Sequence, residues 1–183
     1  MILGLSPAPL QPLFSPGEAE RAYDAWGCNC GPTALAAICG LTLDEAHALL
    51  PGFDEKRYTN PKMMLEGLRR TGREWEQLGG GEGTSPRLLW PDWGLARIQW
   101  EGPWTLPGVP MRARYRYTHW VGAHRRPIDG GVEVGIFDVN QLVNGSGWAA
   151  LINWRDVTVP WLAGHYPRAT GGWHITHAIE VQR

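Results

Sequence analysis

The feature that most constrains the fold is a nine-residue segment at residues 31–39, which reads GPTALAAIC. Its residues are small or apolar on nearly every side of a helical projection, and this pattern predicts a helix buried in the interior. Gly40 follows in the position of a C-cap glycine, so the helix is expected to end there. The pattern therefore predicts one inner helix in the first quarter of the chain.

Three further helices are predicted in the first half of the chain. Thr42 and Glu45 have the spacing of a capping box, and Asn60 followed by a proline is typical of a helix N-terminus. A proline with acidic residues marks a third start. These signals predict helices at residues 16–25, 42–50 and 60–72.

The second half of the chain has a strand-like pattern. After a glycine-rich connection at residues 79–83, short β-branched or aromatic runs are bounded by turns, which is typical of strands. The tetrapeptide IDGG at 128–131 indicates a hairpin. Helices followed by an antiparallel sheet predict an α+β fold, with an extended arm at residues 1–15 and a single domain at residues 16–183. The predicted strands lie at 95–100, 116–124, 131–139 and 174–181.

Charge and hydropathy exclude several classes of partner. With 17 basic and 18 acidic residues, the chain offers no electrostatic reason to expect nucleic acid or an anionic membrane as a partner. No stretch is apolar enough to cross a bilayer, and the N-terminus lacks the basic region of a secretory signal. We therefore expect a cytoplasmic protein. The alternation of Arg112, Arg114 and Arg116 predicts one charged face of a strand.

Three cysteines raise the question of metal binding, a disulfide or a nucleophile. Cys30 falls at the predicted start of the inner helix, where unpaired N–H groups and the helix dipole lower the pKa of a thiol. Cys28 lies outside that helix, and Cys39 lies on its last turn, at the unfavourable end of the dipole. A Cys-x-Cys disulfide is sterically awkward, and an odd number of cysteines does not form a disulfide framework.

A zinc site from Cys28, Cys30, His174 and His177 is the alternative use of these thiols. In a strand, the two histidines differ by an odd offset and would face opposite sides of the sheet. Cys-x-Cys is also less usual than Cys-x2-Cys in structural zinc sites. The prediction is therefore a chain without a metal site and without a cofactor.

A nucleophilic thiol needs an imidazole and a group that orients it. His119 lies on a predicted strand, and the next strand ends with Asp138, with Asn140 just beyond it as the reserve candidate. A hairpin across residues 128–131 sets the two strands side by side, so residues near their far ends can meet. The carboxylate of Asp138 is then expected to hold the ring of His119.

These pieces resemble the papain-like superfamily of cysteine peptidases, and in particular its bacteriocin-processing branch. The resemblance rests on CGPTAL at a helix start, HWV on a strand and an apolar strand ending in Asp, within residues 24–140. It implies a catalytic helix packed on an antiparallel sheet, and thiol-mediated cleavage of a peptide or isopeptide bond in a peptide or protein substrate. It further implies that Cys30 is the nucleophile, His119 the base and Asp138 the orienting acid.

The chain departs from the family pattern at one position. Where the family carries a glutamine that stabilises the oxyanion, six residues before the nucleophile, this sequence has Asp24. A carboxylate would repel an oxyanion, so the side chain of Asn29 or the backbone N–H of Cys30 is expected to supply the donor. Trp26 is the candidate for a groove wall. A non-enzymatic binding or structural module remains the alternative, as does transfer of the acyl group to an amine.

Overall fold

The computed structural model describes residues 11–78 and 90–183 of the chain. The predicted glycine-rich connection at 79–83 and most of the predicted N-terminal arm lie outside the described residues. Phe14, near the end of that arm, is buried and packs edge-on against Phe137, with 6.1 Å between the ring centroids. The described part has the predicted α+β class, with helices packed on an antiparallel sheet.

Five helices form the first half of the described chain, and their starts follow the capping signals. Ser15 with Glu18 and Thr42 with Glu45 both form capping boxes, the second of which was predicted. Asn60 Oδ1 accepts a hydrogen bond of 3.0 Å from the N–H of Met63. The helices are α1 Pro16–Trp26, α2 Cys30–Cys39, α3 Leu43–Leu49, α4 Phe53–Lys56 and α5 Pro61–Thr71.

In the described part of the chain, six antiparallel strands make a single sheet in the order β1-β6-β2-β3-β4-β5. The predicted hairpin joins β3 and β4, with Ile128 paired to Gly131 and Gly122 paired to Phe137. β1 and β5 have three residues each, and no sequence pattern indicated them. The strands are β1 Trp75–Gln77, β2 Trp93–Trp100, β3 Thr118–Ile128, β4 Gly131–Phe137, β5 Trp148–Ala150 and β6 Trp173–Val181.

The inner helix α2 covers one face of the sheet, as its apolar sequence predicted. From Gly31 to Cys39 every residue of α2 is buried, and Leu35 and Ile38 belong to the same core as Trp93 and Trp120. The indole of Trp93 donates a hydrogen bond of 3.0 Å to the carbonyl of Ile38, which fixes the helix to β2. The thiol-bearing start of α2 is thereby held against the sheet.

A C-terminal helical segment covers the other face of the sheet. It runs through α7 Leu151–Asn153, a π-helical turn at Trp154–Thr158 and α8 Val159–Gly164. Trp154 is fully buried and packs with Ile98 and Ile136, which point to the face opposite α2. The sheet therefore lies between two helical layers.

Two local predictions are wrong. The alternating Arg112 and Arg114 lie in a short helix, α6 Met111–Arg114, and β3 begins only at Thr118, so the charged strand face is not formed. Pro110 precedes the helix, and a proline favours a helix start because its φ is already fixed near the helical value.

The second wrong prediction concerns the two histidines of β6. The register between β2 and β6 shifts, so that Gln99 pairs with His174 and Arg97 pairs with His177. Arg97 and Gln99 lie two residues apart and share a face of β2, so both histidines belong to that one face. The extra residue, Thr176, acts as a β-bulge and changes the alternation.

Within residues 11–78 and 90–183, every helix is too short or too polar to cross a bilayer.

Candidate active site

His119 and Asp138 form a buried hydrogen-bonded pair at the end of the hairpin. His119 Nε2 lies 3.0 Å from Asp138 Oδ2, and the two side chains are 6% and 0% exposed. His119 lies near the start of β3, and Asp138 directly follows β4. The antiparallel register brings the start of β3 beside the end of β4, so the contact expected from the sequence is present.

Asp138 accepts hydrogen bonds on both of its oxygens. Oδ1 receives the backbone N–H of Asn140 at 3.0 Å and its side-chain Nδ2 at 2.8 Å. Oδ2 receives the indole N–H of Trp154 at 2.8 Å, in addition to His119. Asn140, the reserve candidate for orienting the ring, therefore holds the carboxylate instead of the imidazole.

The environment keeps Asp138 ionised and favours the protonated form of His119. Burial by itself would raise the pKa of Asp138, but the charge of His119 and the donated hydrogen bonds outweigh burial and lower the pKa to about 2. For His119, burial acts to lower the pKa, while the charge of Asp138 and its hydrogen bond prevail and raise the pKa above its usual value. The pair is thus an imidazole with a fixed negative partner.

Two thiols lie at the start of α2, within electrostatic range of His119. Cys30 is the first residue of α2, as predicted, and its Sγ is 3.8 Å from Cys28 Sγ. The hydrogen bond from Cys30 stabilises a thiolate on Cys28 and, against the effect of burial and with help from the charge of His119, lowers the pKa of Cys28 to about 6. The expectation that Cys28 has no electrostatic advantage is therefore wrong.

The pKa of Cys30 moves the other way. Its hydrogen bond to Cys28, its burial and the adjacent charge raise the pKa well above the usual value, although the backbone N–H of Trp120 stabilises its ionised form. Two thiols this close titrate as a unit, so the first proton leaves near neutral pH and the second far above it. Cys39, at the other end of α2, is buried and has its pKa raised to about 11.

The side chains expected to bind an oxyanion lie elsewhere. Asn29 is buried, and its Nδ2 donates a hydrogen bond of 2.8 Å to the carbonyl of Ala19, so its amide fixes α1 to the start of α2. Asp24 is exposed on α1. The backbone N–H groups at the start of α2 and that of Trp120 are the donors closest in kind to those that such a site needs.

Trp26, the candidate groove wall, is engaged in packing. Its ring stacks on His47 with 4.3 Å between centroids and an interplanar angle of 10°. It also meets Phe53 edge-on at 6.1 Å. One face of the indole is therefore covered by α3, and the ring serves to join α1 to α3 and α4.

A cavity of about 660 Å³ opens near the start of α2, since Tyr58 and Asn60 line it and Thr59 between them lies against Gly31. Arg97, from β2, contributes to its lining; burial lowers the pKa of its guanidinium, and an ionised Cys30 would oppose that effect. Tyr166, which follows α8, lines it too; burial, followed by the charge of Cys30, raises the pKa of this tyrosine to about 12. Sequence reasoning missed both residues. The one available signal was a lone charged residue, the arginine, in the mainly apolar strand LARIQW.

Metal ligation is not supported by the described residues, since no three His, Cys, Asp or Glu side chains among them come together as a ligand set. His174 Nδ1 lies 3.0 Å from Glu101 Oε1, and His177 lines the cavity near Arg97.

Comparisons with protein-family models, with curated proteins and with solved structures give no match for this chain.

Proposed function

We propose that this chain is a papain-like thiol hydrolase that cleaves a peptide or isopeptide bond. Cys30 is the nucleophile, His119 transfers the proton and Asp138 fixes the orientation of the imidazole. The observation that carries the proposal is the buried His119–Asp138 pair together with a pair of thiols, within electrostatic range of His119, whose first pKa is lowered. A thiolate available near neutral pH, a base and a group that orients the base are the parts that thiol-dependent acyl transfer needs.

The reaction follows from these parts. Cys30 passes its proton to the Cys28 thiolate as its sulfur attacks the carbonyl carbon; a C–S bond forms, and backbone N–H groups stabilise the negative charge on oxygen. Protonated His119 gives its proton to the leaving amine as the C–N bond breaks. In the second half, neutral His119 takes a proton from water as the water oxygen attacks the thioester; the C–S bond breaks, and the acid and the Cys30 thiolate are released with His119 protonated again.

Site-mapped alkylation with iodoacetamide between pH 5 and pH 8 tests this proposal. We expect alkylation within the Cys28–Cys30 pair at neutral pH, at a rate far above that of Cys39, which is the internal control on the same helix. His119→Ala is expected to remove most of the difference. Equal and only alkaline labelling of all three cysteines would contradict the proposal.

A second candidate function is a binding or structural module on the same scaffold. It is favoured by one observation. The side chain of Asn29 is hydrogen-bonded to the carbonyl of Ala19 and Asp24 is exposed to solvent, so neither supplies a side-chain donor for an oxyanion. For such a module, the loss of His119 would leave partner binding unchanged.

A further inference from the structure

The cavity near the start of α2 contains a buried arginine without an acidic partner. Arg97 is 5% exposed, its Nε has no hydrogen-bond partner, and one Nη donates to Thr118 Oγ1 at 3.1 Å. No aspartate or glutamate of residues 11–78 and 90–183 lies within ion-pair distance of Arg97. A buried guanidinium is costly unless it is paired, and its planar donors match a carboxylate.

Arg97 lies on the face of the sheet that α2 covers. Leu95 lies in the core beneath α2, and Arg97, two residues further along β2, belongs to the same face of the sheet. Thr59 lies between the lining residues Tyr58 and Asn60 and against Gly31, the chain neighbour of Cys30, so the cavity reaches the start of α2. The floor of the cavity thus continues the sheet face that α2 covers, past the residue proposed as the nucleophile.

The other charged side chains that line the cavity are also positive. Arg112 and Arg116 line it, and Asp and Glu are absent from its described lining. Tyr58, Tyr115 and Tyr166 also line it. Tyrosine hydroxyls can donate to an anion, and low polarity around the guanidinium strengthens its attraction for one.

We propose that this cavity is a carboxylate subsite, and that the substrate carries a carboxylate next to the bond that is cleaved. The inference rests on the proposed thiol chemistry and names its substrate class. The carboxylate belongs to an acidic side chain or to a free chain end, and the bidentate donors of Arg97 bind it with help from Arg112 and Arg116.

Competing alkylating agents test the subsite separately from the reactivity of the thiol. Iodoacetate and iodoacetamide both react by displacement of iodide by the thiolate, but only iodoacetate carries a carboxylate. We expect the ratio of their rates at the Cys28–Cys30 pair to exceed the ratio for glutathione, and to fall as salt rises. The rate with iodoacetamide alone reports on the proposed function.

Variants test whether the preference for iodoacetate over iodoacetamide comes from this cavity. Arg97→Gln is expected to lower the ratio at least about fivefold; the rate with iodoacetamide, measured on the same variant, corrects for any change in the thiolate itself. Because Arg97 is buried, the exposed pair R112Q/R116Q provides a second variant that leaves folding intact, with a smaller decrease expected. Arg125→Gln is the matched control, since Arg125 lies on β3 outside this cavity. A ratio that is unchanged by both cavity variants would overturn the subsite while leaving the thiol chemistry standing.

Binding of small ligands shows whether the carboxylate subsite exists, and it does so even if the thiol is unreactive. An unreactive thiol would overturn the proposed function but not the subsite. The probes are N-acetylglutamate α-amide, with only a side-chain carboxylate, and N-acetylglutamine, with only an α-carboxylate. The neutral control is N-acetylglutamine amide. Saturation-transfer NMR should show binding of at least one acid, lost in Arg97→Gln and in R112Q/R116Q, and the acid that binds identifies the source of the carboxylate. Equal signals for the neutral control and both acids would overturn the inference.

Discussion

The sulfur atoms of Cys28 and Cys30 lie 3.8 Å apart at the start of α2, within electrostatic range of the buried His119–Asp138 pair. Each thiol therefore sets the ionisation of the other. The first negative charge resides on the pair near neutral pH, with the pKa of Cys28 lowered to about 6 and that of Cys30 raised. Which sulfur attacks a carbonyl is a separate question, and we assign that role to Cys30 because it begins the helix.

Serine substitution separates the two thiols. Cys30→Ser should abolish acylation by p-nitrophenyl acetate, measured as the burst of nitrophenol, by a factor of about 10³ or more. Cys28→Ser should keep the burst within about tenfold, because the hydroxyl can still donate a hydrogen bond to a thiolate on Cys30. Cys39→Ser is the control and should leave the burst unchanged. The reverse order of the first two variants would make Cys28 the nucleophile.

Removal of the charge on Asp138 should reverse the shift of its imidazole partner. In the wild type, the charge and the hydrogen bond of Asp138 raise the pKa of His119 against the effect of burial. In Asp138→Asn, burial is left as the largest influence, so the pKa of His119 should fall below its usual value. NMR titration of the ring protons measures the midpoint.

The fall in the pKa of His119 also affects the thiols, since a ring that is neutral at pH 7 no longer stabilises the thiolate. Asp156→Asn is the matched control, because Asp156 is exposed and paired with Arg155. A midpoint above the usual value in Asp138→Asn would show that the carboxylate does not hold the proton on His119.

The close contact at Gly31, the second residue of α2, predicts that alanine lowers the free energy of unfolding there but not at Gly17. A methyl group on Gly31 would lie 2.0 Å from Thr59 Oγ1, whereas one on Gly17, the second residue of α1, would lie 3.6 Å from Arg21. Gly31→Ala should therefore lower the free energy of unfolding by about 1–3 kcal/mol. Gly17→Ala should leave it unchanged or raise it by up to about 1 kcal/mol, because alanine favours a helix.

Urea denaturation measures both values. Equal free energies of unfolding for the two alanine variants would mean that α2 does not approach Thr59 as closely as the structure has it. Alkylation of Gly31→Ala should also be slower, since a displaced helix start moves Cys30.

The sequence predicted those parts of the fold that depend on local signals. The apolar pattern around Leu35 indicates the inner helix, and Thr42 with Glu45 form the expected capping box. The His119–Asp138 contact follows from strand pairing across a short hairpin, where sequence spacing fixes the register. The ends of the four predicted helices lie within one or two residues of the observed ends, because local capping residues mark where a helix begins and ends.

The parts that sequence reasoning missed depend on packing between distant segments. The indole of Trp154 reaches Asp138 because a C-terminal helical segment folds over the second face of the sheet. The lowered pKa of Cys28 depends on its distance to a neighbouring sulfur, which spacing alone does not give. A single extra residue at Thr176 was enough to place His174 and His177 on one face.

Spectroscopic titration of the thiolate tests the central claim most directly, because ionised sulfur absorbs in the ultraviolet and the thiol does not. The account predicts one thiolate per wild-type chain with a midpoint near pH 6, present above that pH and lost below it. In His119→Ala the midpoint should move upward, since the imidazolium no longer attracts the charge. A wild-type midpoint in the range of an ordinary cysteine, or one that His119→Ala leaves in place, would contradict the account.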